Sequence, residues 1–117
     1  MADHNELGEY GEEEAVKYLI AQGYNIVQRN WRFGKTEIDI VAETDQWLIM
    51  VEVKTRSNAE FGNPEEFVSR TKQRHLIKAA NRYAELFPTD KDIRFDIIAI
   101  VINPTFSLDH IPEAFYP

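Results

Sequence analysis

At 117 residues and 44% hydrophobic content, the chain is long enough to bury a real core, and one domain over 1–117 is expected. It has no cysteine, which excludes disulfides and thiolate metal sites, and neither a signal-like start nor a bilayer-length apolar run, so a cytoplasmic protein with no membrane partner is expected. The net charge of −7 argues against a generic nucleic-acid binder, yet Met1 to Ala15 holds six acids and no Lys or Arg, while Ser69 to Arg82 carries Arg70, Lys72, Arg74, Lys78 and Arg82 with no acid, so a local basic face survives.

In chain order, Asp3 is placed to cap a first helix with Glu6 three residues on. Leu7, Gly11, Ala15, Tyr18 and Leu19 recur at helical spacing, and Gly23 is a natural stop. Glu12 lies seven residues before Leu19 and three before Ala15, which sets an acid on or beside the inward face, next to the small residues Gly8 and Gly11. Its ordinary explanation is a boundary acid paired with Arg29 or Arg32. Tyr24 to Trp31 reads as a first strand, and Arg32-Phe33-Gly34-Lys35 as the turn after it. Both arginines suit either phosphate or a neighbouring acid.

Thr36 to Arg56 is the stretch around which the rest is organised. Ile38, Ile40 and Ala42 alternate with Glu37, Asp39, Val41 and Glu43; Thr44-Asp45-Gln46 breaks the pattern; Trp47 to Val53 is apolar except for Glu52, and Lys54 follows. With Thr44-Asp45 as the turn, Asp39 faces Met50; with Asp45-Gln46, it faces Glu52 directly. Either register puts Asp39 on the face shared by Glu52 and Lys54. Two carboxylates and an ammonium on one patch suit a hard cation held by oxygen. The bland alternative is a solvated face, but Leu48 and Met50 precede Glu52 on that face, and charge beside buried apolar surface costs free energy unless paired or metal-bound. If the first helix packs there too, Glu12 joins them, and three carboxylates meet beside Lys54 with few counter-charges.

Beyond Arg56 the chain turns polar through Phe61-Gly62. Asn63, Pro64 and Glu66 carry helix-start signals, and a short turn precedes a longer helix from about Ser69 to Phe87. The apolar line of that helix is Leu76, Ala80, Tyr83, Ala84 and Phe87. Lys72 falls at its edge, and Arg70, Arg74 and Lys78 form an outer row whose ordinary reading is a solvated face. Pro88 ends the helix. Ile93 to Ile102 reads as a strand covered on both faces, interrupted by Asp96, which pairs with Arg94 or another base. The tail through Phe115 reads as a flap or edge strand. His4, His75 and His110 show no zinc-ligand spacing, and neither a Ser-His-Asp set nor a phosphate-cradling glycine loop is present.

An Asp, a short connection and then Glu-x-Lys resembles the signature of the PD-(D/E)XK nuclease superfamily. More specifically the chain resembles the YraN family of small bacterial proteins with a Holliday-junction-resolvase-like fold. The residues that carry this are Gly8, Gly11, Glu12, Ala15, Gly23-Tyr24, Arg29-Asn30-Trp31-Arg32, Glu37-Ile38-Asp39, Val51 to Arg56, Phe61-Gly62, Lys72 and Arg94-Phe95-Asp96. The resemblance covers nearly the whole chain. It implies an α/β fold of order α-β-β-β-α-β, with a mixed four- to five-stranded sheet between helices. It also implies metal-dependent phosphodiester hydrolysis on branched or single-stranded nucleic acid, DNA ahead of RNA. Asp39 and Glu52 would hold Mg²⁺ or Mn²⁺ with the Val53 carbonyl and Glu12; Lys54 would act with them; Arg56, Lys72, Arg32, Arg70 and Arg74 would hold phosphates. Two rivals stand beside it: a non-catalytic nucleic-acid or protein-binding module of nuclease-like fold, and a homodimeric scaffold joined through the apolar tail and Trp47.

Overall fold

The elements run α1 (His4–Ala21), β1 (Asn25–Phe33), β2 (Thr36–Glu43), β3 (Trp47–Arg56), α2 (Arg70–Leu86), β4 (Asp92–Val101) and β5 (Ser107–Phe115) in a computed structural model that describes residues 4–58 and 68–117. The expected signals at Asp3, Phe61-Gly62, Asn63, Pro64 and Glu66 lie outside the described residues. No described helix is long and apolar enough to cross a membrane.

The five strands form one mixed sheet in sequence order. β1, β2 and β3 are antiparallel neighbours, β3 and β4 are parallel, and β5 returns antiparallel on β4. The tail is therefore an edge strand, one more than the expected order contained. A parallel β3–β4 pair needs a long connection, and α2 lies within it.

Local chemistry accounts for the element ends. Gly23 takes φ 92, and Tyr24 N–H donates to the Leu19 carbonyl at 2.9 Å, closing α1. Gly34 takes φ 61, which allows a two-residue turn at Gly34-Lys35 with Phe33 opposite Thr36. β1 thus runs two residues beyond the expected Trp31, because the turn needs only its glycine and one neighbour. Ser69 caps α2, its Oγ accepting from Lys72 N–H at 3.1 Å. On α2 the buried line is Leu76, Ala79, Ala80 and Tyr83; Phe87, expected inside, is exposed at the helix end.

Each face of the sheet carries its own apolar core. α2 covers Val41, Leu48, Met50, Phe95 and Ile97, with Trp31 edge-on to Tyr83 at 5.2 Å. α1 covers Ile40, Ala42, Ile49, Val51, Ile98 and Ile100 with Ala15 and Leu19. Fully burying one such aliphatic side chain contributes roughly 1.5–3 kcal/mol. Ile38 departs from the expected alternation: it joins the α2 core, whereas Ile40 and Ala42 join the α1 core. The switch falls at Asp39, opposite Asn30, which stands in the left-handed region at φ 53.

Asp96 is wholly buried and fully partnered. Arg94 Nε and an Nη each donate at 2.9 Å, His110 Nε2 contacts it at 2.7 Å, and Glu113 N–H donates at 3.2 Å. Burial opposes its ionisation, but the hydrogen bonds from His110 and Arg94 outweigh burial and hold its carboxyl below the usual carboxylate range. Arg94 also donates to the Tyr24 hydroxyl and lies 5.6 Å from the Trp47 ring centroid, so Trp47 is engaged within the chain. His110, set aside as a scattered histidine, is a structural partner here.

Candidate metal and nucleic-acid site

β2 and β3 follow the register in which Asp45-Gln46 is the turn: Thr44 N–H donates to the Trp47 carbonyl, and Glu43 pairs with Leu48 and Ile40 with Val51. One step further, Asp39 stands opposite Glu52, where the ladder gives way to side-chain bonding. Val53 N–H donates to Asp39 Oδ2 at 2.8 Å, and the Glu52 carboxyl lies close enough for its charge to act on Asp39. Asp39 is 9% exposed and Glu52 6%. Burial first, then the charge of Glu52, pushes the Asp39 carboxyl up to about 9.

The pair is reached from both sides of the sheet. A cleft of about 290 Å³ on the α1 side is lined by Gly8, Glu12, Lys54 and Arg56 together with Asp39 and Glu52. A cleft of about 470 Å³ on the α2 side reaches the same two carboxylates past Arg32, Lys35, Thr36, Ser69, Lys72 and His75. The break in alternation in β2 falls at Asp39, one of the two residues that line both clefts.

Carboxylate oxygens of Glu12, Glu37 and Asp39 come within 4.8 Å of one another. Glu37 was not among the expected ligands, and with the alternation broken at Asp39 its spacing alone did not place it there. Neither arginine expected at Glu12 is there. Arg29 pairs with Glu13 at 2.8 Å and Arg32 with Glu37 at 3.3 Å, while Glu12 Oε1 accepts from Asn30 Nδ2 at 2.8 Å.

The expected shortage of counter-charge is corrected by Lys72, whose ammonium stands 3.1 Å from Glu52 Oε2. That oxygen is fully buried and accepts no aligned hydrogen bond, so the contact is one of charge without hydrogen-bond geometry. Burial works against the charged form of Lys72, but Glu52 outweighs it and raises its pKa. Burial and the neighbouring Lys72 charge push Lys54 down. Of the expected phosphate-binding residues, Arg32, Arg56 and Lys72 line the two clefts. Arg70 and Arg74 stand exposed on α2 and line neither, because they project from the side of the helix away from Leu76 and Tyr83.

The donor set fits a small divalent cation. The cluster of Glu12, Glu37 and Asp39 is all oxygen, and Glu12 has no cation against it among the described residues; Glu52, with a buried oxygen that accepts no hydrogen bond, lies beside Asp39 and outside that cluster.

Comparison with known proteins finds relatives along the whole chain. It is similar to the UPF0102 protein of Phocaeicola vulgatus, 53% identical over all of this chain and 98% of that one. It is also similar to UPF0102 proteins of Bacteroides thetaiotaomicron, at 52% over the same shares, and of Flavobacterium psychrophilum, at 46% over 99% of this chain and 98% of that one. The model of the uncharacterised protein family UPF0102 matches residues 11–100, a span that includes Glu12, Asp39, Glu52, Lys54 and Lys72, and the chain belongs to that family.

Proposed function

We propose that this protein is a metal-dependent endonuclease that hydrolyses phosphodiester bonds in branched or single-stranded nucleic acid. The observation that carries this reading is the Asp39–Glu52 pair, two neighbouring, buried carboxyls at the meeting of two polar clefts. Burying two like-charged groups side by side costs free energy that one backbone hydrogen bond and one lysine only partly offset. Asp39, Glu52, the Val53 carbonyl and Glu12 would hold Mg²⁺ or Mn²⁺. When bound, the cation supplies Lewis-acid chemistry, lowering the pKa of an attacking water and offsetting charge on phosphoryl oxygens. Lys54, its pKa already pushed down, orients that water or meets the charge that develops on the phosphorus-bound oxygens. Arg32, Arg56 and Lys72 fix the strand through its phosphates, which positions it without reading its bases.

A second reading, a non-catalytic nucleic-acid-binding module, is favoured by one specific contact: the Lys72 ammonium already sits against Glu52 where a cation would bring its charge. Cleavage separates the two readings. Wild-type protein is incubated with branched, flapped and single-stranded DNA and RNA in Mg²⁺ or Mn²⁺, beside Asp39→Asn and Lys54→Ala. We expect nicking by the wild type, loss of at least about a hundredfold with Lys54→Ala, and no measurable cleavage with Asp39→Asn. An intact panel with the wild type, or equal cutting by Asp39→Asn, overturns the catalytic reading.

A further inference from the structure

We propose that Asn30 is a positioning residue that holds Glu12 at the carboxylate site, an inference that rests on the metal-dependent reading above. Asn30 lies in β1 between Arg29 and Trp31, which pair with Ile40 and Ile38, so it stands opposite Asp39. Its φ of 53 is unusual in mid-strand. Asparagine tolerates that region better than other residues with a side chain, but glycine tolerates it at no steric cost. Backbone demand alone would therefore be met by glycine. What asparagine adds is an amide, and its Nδ2 donates to Glu12 Oε1 at 2.8 Å.

The kind of donor matters as much as its place. Nearby acids are held by guanidinium groups, Glu13 by Arg29 and Glu37 by Arg32. Glu12 makes no ion pair among the described residues and is held by a neutral group. An arginine would fix the carboxylate and offset its charge; an amide fixes it and leaves the whole charge for a cation. The helix cannot supply this aim by shifting, because α1 is seated on β3 where Gly11 faces Thr55. Hydrogen bonds of this kind, behind a ligating carboxylate, typically change metal affinity 10–100-fold when removed.

The test is calorimetric titration of the full chain with Mn²⁺, alongside melting without metal, for wild type, Asn30→Gly, Asn30→Ala, Glu12→Gln and the double variant Asn30→Gly with Glu12→Gln. Asn30→Gly keeps the backbone and deletes the amide; Asn30→Ala deletes the amide and strains the backbone. We expect both Asn30 variants to weaken Mn²⁺ binding by about tenfold, with only Asn30→Ala melting several degrees lower without metal. In the Glu12→Gln background, Asn30→Gly should change affinity no further. Wild-type affinity in Asn30→Gly while Glu12→Gln is weakened overturns the role of Asn30 and leaves the metal site standing, as do losses that add in the double variant. A wild type that takes up no Mn²⁺ removes the metal-dependent reading and this proposal together.

Discussion

The Asp39 carboxyl, pushed up to about 9, makes stability depend on pH in a direction that can be worked out. The unfolded chain releases this proton near pH 4, whereas the folded chain keeps it until about 9. Stability from this group is therefore present in full below about pH 4 and is lost progressively as pH rises through about 9. Asp39→Asn removes the titration, and its amide oxygen can still accept from Val53 N–H. We expect the metal-free variant to melt several degrees above wild type at pH 8, roughly 1–3 kcal/mol, and to show a flatter profile from pH 5 to 9 by scanning calorimetry. Its Mn²⁺-induced rise in melting temperature should vanish. A profile as steep as that of the wild type would show that Asp39 ionises normally. Glu52→Gln is the less clean experiment, because it also strips Lys72 of its 3.1 Å partner, and relief of one repulsion is offset by loss of an attraction.

The seating of α1 on β3 depends on one position in the helix. A Cβ at Gly11 would lie 1.7 Å from Thr55 Oγ1 and 2.8 Å from its Cβ, whereas a Cβ at Gly8, one turn earlier, meets nothing within 4 Å. Helix propensity favours alanine over glycine at both by about 1 kcal/mol. Thr55 is β-branched and cannot rotate freely out of the way. We expect Gly11→Ala to destabilise by about 2–3 kcal/mol in urea unfolding despite its better propensity, and Gly8→Ala to be neutral or slightly stabilising. Thr55→Ala in the Gly11→Ala background should recover part of the loss, since it removes the nearest contact but leaves the Cβ. Equal stability of the two single variants would mean that α1 does not sit this close to β3. The consequence reaches the site, because Glu12 follows Gly11 directly.

Charge is divided between the two helices. α1 carries Glu6, Glu9, Glu12, Glu13 and Glu14, and α2 carries Arg70, Lys72, Arg74, Lys78 and Arg82. On the proposed function, a polyanion would be steered toward the α2 side, where Arg32, Lys35 and Lys72 line the larger cleft. Arg70, Arg74 and Lys78 extend this basic helix beyond the cleft. If they touch the strand, replacing all three by alanine should reduce the slope of log affinity against log salt by up to about 2 for a single-stranded ligand, read by fluorescence anisotropy. An unchanged slope assigns the row to solvated surface and confines the binding surface to the cleft.

The strands, the shared face of Asp39 and Glu52, the start of the long helix near Ser69 and the pairing of Asp96 with Arg94 were legible in the residues alone. Each is a local matter of period, turn chemistry or a buried charge that needs a partner. The long resemblance to a known family told more, extending from Gly8 to Asp96. Three features were not legible: Ile38 leaving the face of Ile40, Glu12 taking Asn30 in place of an arginine, and Lys72 reaching Glu52. The first is a break in strand alternation opposite a left-handed residue of the neighbouring strand, which no period reveals. The other two join groups 18 and 20 positions apart, Asn30 with Glu12 and Lys72 with Glu52. Their meeting depends on how two helices, on opposite faces of the sheet, are seated against it, and packing in three dimensions decides that.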